Sequence, residues 1–278
     1  MVIEELLYMG AKKLSIVSDT PRLDAEVLLA HVLGKSRSYL VINYRMVVGE
    51  GECEKYLSLI GRRADGAPVA YLTNLKEFMS LEFYVDENVL IPRGDTETLC
   101  ECVMERCGIN EARVVDLCCG SGCIGISLAH YMKNSRVTLV DISEKAIAVA
   151  KKNAEKNRVS DRCGFVCADI MKDGISGKFD VAVSNPPYIE TDVIRTLERG
   201  VAEYEPHIAL DGGSDGLDFY RRLVRIVPDM LVCGGKAAFE VGHTQADAVM
   251  DMMKESFEKV GAVCDLAGIR RVVCGVKR

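Results

Sequence analysis

Asn185, Pro186, Pro187 and Tyr188 stand together at the end of a short apolar run, VAVSNPPYI. A proline fixes φ and carries no N–H, so the backbone after Asn185 presents carbonyls without a competing donor. Asn185 adds a side-chain carbonyl. Two oxygens, one from Asn185 and one from Pro186, would suit a planar –NH2 group with two hydrogens to give. Tyr188 could stack on the flat group that carries that nitrogen, with Pro187 in the same substrate-contacting set. For a bare NPPY the plain alternative is a tight turn with no chemistry, so the neighbouring motifs must decide.

Gly120, Gly122 and Gly125 in DLCCGSGCIG match G-x-G-x-x-G, which opens a dinucleotide reading. Asp141 follows Gly122 by nineteen residues, close to the roughly 20 expected of a ribose-binding carboxylate. Asp116 argues against a pyrophosphate, because its carboxylate ends the strand just before the loop and would repel one. It would suit a cofactor with an ammonium and a sulfonium, such as S-adenosylmethionine. The loop residues Cys118, Cys119, Gly120, Ser121 and Gly122 must then let the backbone come close to that cofactor. Asp169 ends a third strand, where it could accept from an adenine amino group with Ile170 packed on the ring. Asn185 borders the same cofactor. The structural alternative is an ordinary strand-to-helix turn with Asp116 exposed.

These positions act together only if several strands end along one edge. After residue 95, RVVDLC, RVTLVDI, GFVCAD, FDVAVSN and GKAAFEVG alternate with helical segments such as SEKAIAVAKKNAEKN. That is the pattern of a parallel sheet covered by helices on both faces. Ser143 is placed to cap that helix, and Ala146, Ile147, Ala150 and Ala154 to line its inner side. Ligands in open α/β sheets bind at the carboxyl edge, where the glycine loop and NPPY both fall. The tail, GAVCDLAGIRRVVCGV, reads as two strands joined by a short Ala-Gly turn, with an antiparallel strand added at the end of the sheet.

Upstream, EFMSLEFYV alternates and, with ENVLIP, predicts a hairpin linking two domains. Residues 1–70 read as helical. In TPRLDAEVLLAHVLG, Thr20 is placed to cap, Pro21 suits the first turn and Gly34 falls just past the end. Leu23, Val27, Ala30 and His31 recur there at helical spacing. Another helix covers 52–64, with Arg62 and Arg63 on a solvated face. The expected division is a helical domain at 1–70, a β-hairpin linker at 71–94 and a catalytic domain at 95–278.

The chain has 278 residues, 49% of them hydrophobic, and a formal charge of −6. The length suits one large domain, or a medium one with a small companion. The acidic balance argues against a partner held through nucleic-acid phosphates. No apolar run approaches the roughly 18 residues of a membrane span. MVIEELLYMG carries acids where an export signal would be positive, so a cytoplasmic protein without membrane contact is expected. Its twelve cysteines include no C-x-x-C pair. They read as reduced, buried small hydrophobes, and no metal site is expected.

Together these segments resemble the class I S-adenosylmethionine-dependent methyltransferases that modify planar amino groups. The resemblance is strongest to the protein-(glutamine-N) methyltransferases of peptide chain release factors, the PrmC/HemK family. PVAYLTNLKEF, VLIPRGDTETL, VVDLCCGSGCIG, VDISEKAIAVAKKNA, FDVAVSNPPYI, EPHIALDGGSDGLDFY and FEVGHTQ stand in that family's order over nearly the whole chain. NPPY alone is shared with DNA adenine and some RNA methyltransferases. IPRGDTE joined to a helical domain is more specific, and the sister enzymes of a ribosomal protein usually lack the DTE ending.

The resemblance implies a seven-stranded Rossmann-like methyltransferase sheet with an antiparallel last strand, preceded by a small all-α substrate-recognition domain and a β-hairpin. It implies S-adenosylmethionine as cofactor and the glutamine of the Gly-Gly-Gln motif of release factors as substrate. Asn185, Pro186 and Tyr188 would be the catalytic set, with no dedicated base, because an N-alkylated amide sheds its proton readily. His207 and His243 read as structural, and 190–218 as a segment that closes over the glutamine or as a surface excursion. The family commonly has glycine where Cys118 stands and proline where Gly94 stands. The readings left open are a ribosomal-protein glutamine methyltransferase, a nucleic-acid adenine methyltransferase, a nicotinamide-dependent oxidoreductase and a non-catalytic cofactor-binding module.

Overall fold

The computed structural model describes residues 1–107 and 111–278. Helices come first: α1 (Ile3–Leu14), α2 (Pro21–Leu33), α3 (Arg37–Ile42), α4 (Glu50–Ala64) and α5 (Val69–Thr73). A hairpin of β1 (Lys76–Phe78) and β2 (Leu81–Phe83) leads to α6 (Glu97–Cys107), β3 (Arg113–Leu117), α7 (Cys123–Tyr131), β4 (Arg136–Asp141) and α8 (Glu144–Lys156). Then follow β5 (Cys163–Cys167), β6 (Phe179–Ser184), α9 (Arg199–Ala202) and α10 (Asp218–Met230). The chain finishes with β7 (Leu231–Glu240), α11 (Ala246–Met253), β8 (Phe257–Cys264) and β9 (Arg270–Lys277). Two compact units result: Met1–Leu75 with Glu198–Tyr204, and Lys76–Leu197 with Glu205–Arg278.

The helical unit closes on Leu6, Leu28, Leu29 and Tyr56, all fully buried. Gly10 lets α1 and α4 approach, since a Cβ there would collide with the Tyr56 hydroxyl. That hydroxyl donates to the Leu6 carbonyl at 3.1 Å. Two sequence expectations fail in α2. Thr20 makes no side-chain cap; its hydroxyl turns to Asp24 at 3.4 Å. The inner face is also rotated, with Leu23 and His31 exposed and Asp24, Ala25, Leu28 and Leu29 inside. Arg63 explains the rotation. Its Nε lies 2.8 Å from Asp24, both side chains largely covered, so it is not on a solvated face. A paired carboxylate tolerates the inward position that an unpaired one would not.

In the second unit the seven strands run in the order β5-β4-β3-β6-β7-β9-β8. The strands from β5 to β7 are parallel neighbours, and β9 is antiparallel to both β7 and β8. The last strand is therefore antiparallel as expected, but it enters between β7 and β8 instead of extending the sheet. Its composition accounts for this: Val272, Val273 and Cys274 are consecutive and buried, the mark of a strand covered on both faces. β8 takes the edge, where exposed Glu258 and Lys259 and a register shift blunt it.

Alternate residues of β3 divide between two cores, Val114 to one face and Val115 and Leu117 to the other. Ser143 caps α8 by accepting from the Ala146 N–H at 3.2 Å, and Ala146, Ile147, Ala150 and Ala154 are buried as predicted. Asn153 of α8 accepts from the Tyr84 N–H and donates to the Tyr84 and Ser121 carbonyls, the latter two at 2.9 Å. One amide thus joins the exit of the hairpin to the glycine loop. Cys167, Cys233 and Cys264 are exposed, contrary to the expectation of burial. Two of them sit on the edge strands β5 and β8, which have no neighbour on one side. Among the described residues no helix is long and apolar enough to cross a membrane.

Candidate active site

The carboxyl ends of β3, β4, β5 and β6 border one cavity of about 310 Å³. Cys118, Gly120, Asp141, Asp169, Ile170, Asn185 and Pro187 all line it. The side chains or backbone of Asp116, Cys119, Ser121, Gly122, Pro186 and Tyr188 are not part of that lining.

Backbone geometry makes the loop. Cys118, Gly120 and Gly122 have φ of 61°, 52° and 79°, the left-handed region. At Gly122 a Cβ would come within 2.8 Å of Ile126 and 2.9 Å of Leu139, so only glycine fits. At Gly120 a Cβ would meet no protein atom within 4 Å, so the bare side of that residue faces the cavity. Cys118 holds the same conformation with a side chain, at a cost of about 1–2 kcal/mol. Cys119 is buried in the core and Ser121 is fixed through Asn153.

Asp141 accepts from the Gly120 N–H at 2.8 Å and the Ser143 N–H at 2.9 Å, one on each oxygen. Burial pushes its carboxyl up, and those backbone donors oppose the shift. Each oxygen retains a second lone pair, which fits a pair of sugar hydroxyls. Asp169 instead pairs with Lys172 at 3.0 Å and accepts from the Met171 N–H at 2.9 Å; the Lys172 ammonium lowers it.

Asp116 is fully buried, so the reading of an exposed carboxylate is wrong. One oxygen accepts from the Gly125 N–H at 2.8 Å, and the other has no partner. Burial pushes this carboxyl up to about 7, with the Gly125 N–H opposing. An orphaned buried acceptor calls for a donor, and no described residue supplies one.

In NPPY, the Asn185 Nδ2 donates to Thr96 Oγ1 at 3.3 Å. The Asn185 Oδ1 and the Pro186 carbonyl accept no hydrogen bond from any described residue. Ser184 donates to the Leu117 carbonyl at 2.7 Å, tying the ends of β6 and β3. Tyr188 packs against the core on the β7 side, its hydroxyl 3.5 Å from Glu240 Oε1. Gln245 donates to the Tyr188 carbonyl at 2.9 Å. The ring braces the turn from behind the cavity.

Thr96, Glu240 and Gln245 were not found from the sequence. Glu240 is 2% exposed and its Oε2 has no partner. Burial pushes it up to about 7; the Thr96 hydroxyl and the Arg271 guanidinium oppose the shift. The available signal was a charge inside the apolar run AAFEV. Residues 88–90, Pro206, Ile208, Ala209 and Phe219 also line the cavity, but none has a side chain whose chemistry announces it. Arg93 pairs with buried Glu205, which also accepts from the Ile91 N–H at 3.3 Å. From 190–218, the Gly212 N–H donates to the Ile189 carbonyl at 2.8 Å and the Leu210 carbonyl accepts from the Ile189 N–H at 2.9 Å, and a Cβ on Gly212 would meet the Tyr188 Cα at 2.7 Å.

Comparison with known proteins decides the family. Residues 5–73 match the PrmC N-terminal domain and 94–203 the methyltransferase small domain. The chain is 41% identical over 258 residues to the release factor glutamine methyltransferase of Clostridium acetobutylicum, covering 91% of this chain and 90% of that one. It is 40% identical over 280 residues to the Clostridium botulinum protein of the same name, covering 98% of each. The chain belongs to the release factor glutamine methyltransferase family. A methyltransferase from Pyrococcus furiosus shares the fold, with a TM-score of 0.53 at 16% identity, over 82% of this chain and 99% of that one. For this family member, the cavity at the carboxyl edge is the candidate methyl-transfer site.

Proposed function

We propose that this methyltransferase moves a methyl group from S-adenosylmethionine to the side-chain amide nitrogen of the glutamine in the Gly-Gly-Gln motif of peptide chain release factors. One observation carries the reading. Asn185 Oδ1 and the Pro186 carbonyl are neighbouring acceptors with no donor among the described residues, and Asn185 lines the cavity. Two fixed acceptors match the two hydrogens of a primary amide. The names of the relatives support the choice of release factor.

S-adenosylmethionine, when bound, supplies a methyl group on positively charged sulfur. Gly120 would give its backbone close access, Asp141 would take the ribose hydroxyls and Asp169 the adenine amino group. Ile170 would pack on the ring. Asn185 and Pro186 would hold the amide plane in one orientation. An amide nitrogen is a poor nucleophile because its lone pair is delocalised, the same resonance that gives backbone amides a rotation barrier of about 18–20 kcal/mol. As positive charge grows on that nitrogen, the two preorganised oxygens stabilise it more than they stabilise the neutral amide. The product sheds its proton without a dedicated base. Pro206, Ile208 and Ala209 would keep water from the acceptors. The helical unit, which exposes Val41, Ile42 and Val47, would meet the release factor.

Mass spectrometry of release factor incubated with the protein and isotope-labelled cofactor tests this reading. One labelled methyl on the motif glutamine is expected. Labelled DNA or labelled ribosomal protein, with an unmodified release factor, would overturn it.

A further inference from the structure

Neither Pro186 nor Pro187 has an N–H, so the middle of NPPY cannot tie itself down with backbone donors. The turn is held from its two ends. At the near end, Ser184 pairs with Phe239 in the sheet and its hydroxyl donates to the Leu117 carbonyl at 2.7 Å. At the far end, Gln245 Nε2 donates to the Tyr188 carbonyl at 2.9 Å. The same nitrogen donates to the Gly216 carbonyl at 3.1 Å, and Gln245 Oε1 accepts from the Gly242 N–H at 2.9 Å. Both amide hydrogens are used. The partners also force the orientation, because carbonyls only accept and an N–H only donates. A reversed amide would set oxygen against oxygen twice.

Three glycines leave room for this contact. A Cβ at Gly216, where φ is 69°, would strike the Tyr188 carbonyl oxygen and come within 2.6 Å of Gln245 Nε2. One at Gly242 would come within 2.8 Å of Gln245 Oε1, and one at Gly212 within 2.7 Å of the Tyr188 Cα. The base of the side chain is equally fixed. Gln245 stands just before α11; its N–H donates to the Gly242 carbonyl and its carbonyl accepts from the Val249 N–H, both at 3.0 Å.

We infer that Gln245 is a positioning residue: by clasping the Tyr188 carbonyl it fixes the far end of NPPY and so aims the Pro186 carbonyl and Asn185 at the substrate amide. The inference rests on the proposed reaction and deepens it. Both prolines hold φ near −65°, so little freedom remains between Asn185 and Tyr188. A shift of the Tyr188 peptide therefore passes back through a stiff link to the Pro186 carbonyl. Gln245 is not part of the cavity lining, so it acts through the turn and not on the substrate. A displacement of about 1 Å at a reacting group can cost about 100-fold in rate.

Two variants test the clasp. Gln245→Met keeps the length and loses all three bonds. Gln245→Glu keeps the acceptor for the Gly242 N–H but turns an oxygen toward two carbonyls. In both, kcat should fall at least about tenfold, with the cofactor dissociation constant from calorimetry unchanged. Gln245→Met should also cost less in an Asn185→Ala background than in wild type, since residues acting as one unit are not additive. A readout free of turnover accompanies these: in crystal structures, the Pro186 carbonyl should turn from its wild-type direction in Gln245→Met. Wild-type kcat in either variant, the same cost in both backgrounds, or an unmoved Pro186 carbonyl overturns the inference. A wild-type protein that methylates no release factor, but whose Pro186 carbonyl turns in Gln245→Met, overturns the proposed function and leaves the clasp standing.

Discussion

The loop after β3 and the turn after β6 sit on adjacent parallel strands, yet they are held by different means. The loop is a backbone structure. Cys118, Gly120 and Gly122 take left-handed φ values, and the side chain missing at Gly122 is what lets the loop pack. The turn is a side-chain structure. Asn185 leans on Thr96, Tyr188 on Glu240, and Ser184 on the Leu117 carbonyl. Asp141 holds the loop too, by accepting from the Gly120 N–H at 2.8 Å.

Substitutions on either side should separate the two. Asn185→Ala carries the largest expected effect: kcat lower by about 100-fold or more, the scale for one preorganised polar group. Turnover near wild type would erase the distinction. Asp141→Ala should act on the other side, weakening cofactor binding by roughly 10–100-fold, as expected for a lost charged hydrogen bond of about 1.5–3 kcal/mol. Calorimetry showing unchanged affinity would remove Asp141 from that role.

Smaller effects sharpen the backbone side. Cys118→Gly should stabilise the protein by about 1 kcal/mol, because a left-handed residue no longer carries a Cβ. Urea denaturation would read the gain, and a loss would show that Cys118 packing outweighs the strain. Gly94→Pro should add about 0.4–1 kcal/mol by restricting the unfolded chain. Arg93 has φ −103° and ψ 148°, suited to the residue before proline. A Cβ at Gly94 meets nothing within 4 Å. A lower melting temperature in that variant would mean that the Gly94 N–H or flexibility matters.

Much of this was legible in the chain itself. Ser143 and the apolar stripe of α8 are local, set by contacts within one helical turn, and they appear as predicted. The glycines announced the loop because glycine takes a left-handed φ at the least cost. The parts that misled are those decided by a distant partner. Thr20 offers a cap, but Asp24 takes its hydroxyl; α2 shows Leu23 at helical spacing, but Arg63 draws the neighbouring Asp24 inward. The ring of Tyr188 could face either way until Glu240, 52 residues on, drew its hydroxyl.

Residue type and spacing alone determined that strands would alternate with helices, that the glycine loop and NPPY would share an edge, and that two acceptors would stand there without donors. Those follow from proline lacking an N–H, from glycine lacking a Cβ and from the two periodicities of the backbone. The tertiary structure decided the rest: β9 lies inside the sheet, Asp116 is buried with one oxygen unanswered, and Asn185 turns its NH2 to Thr96. A hydrogen bond between side chains 89 residues apart has no local signature, because the fold alone brings its two ends together.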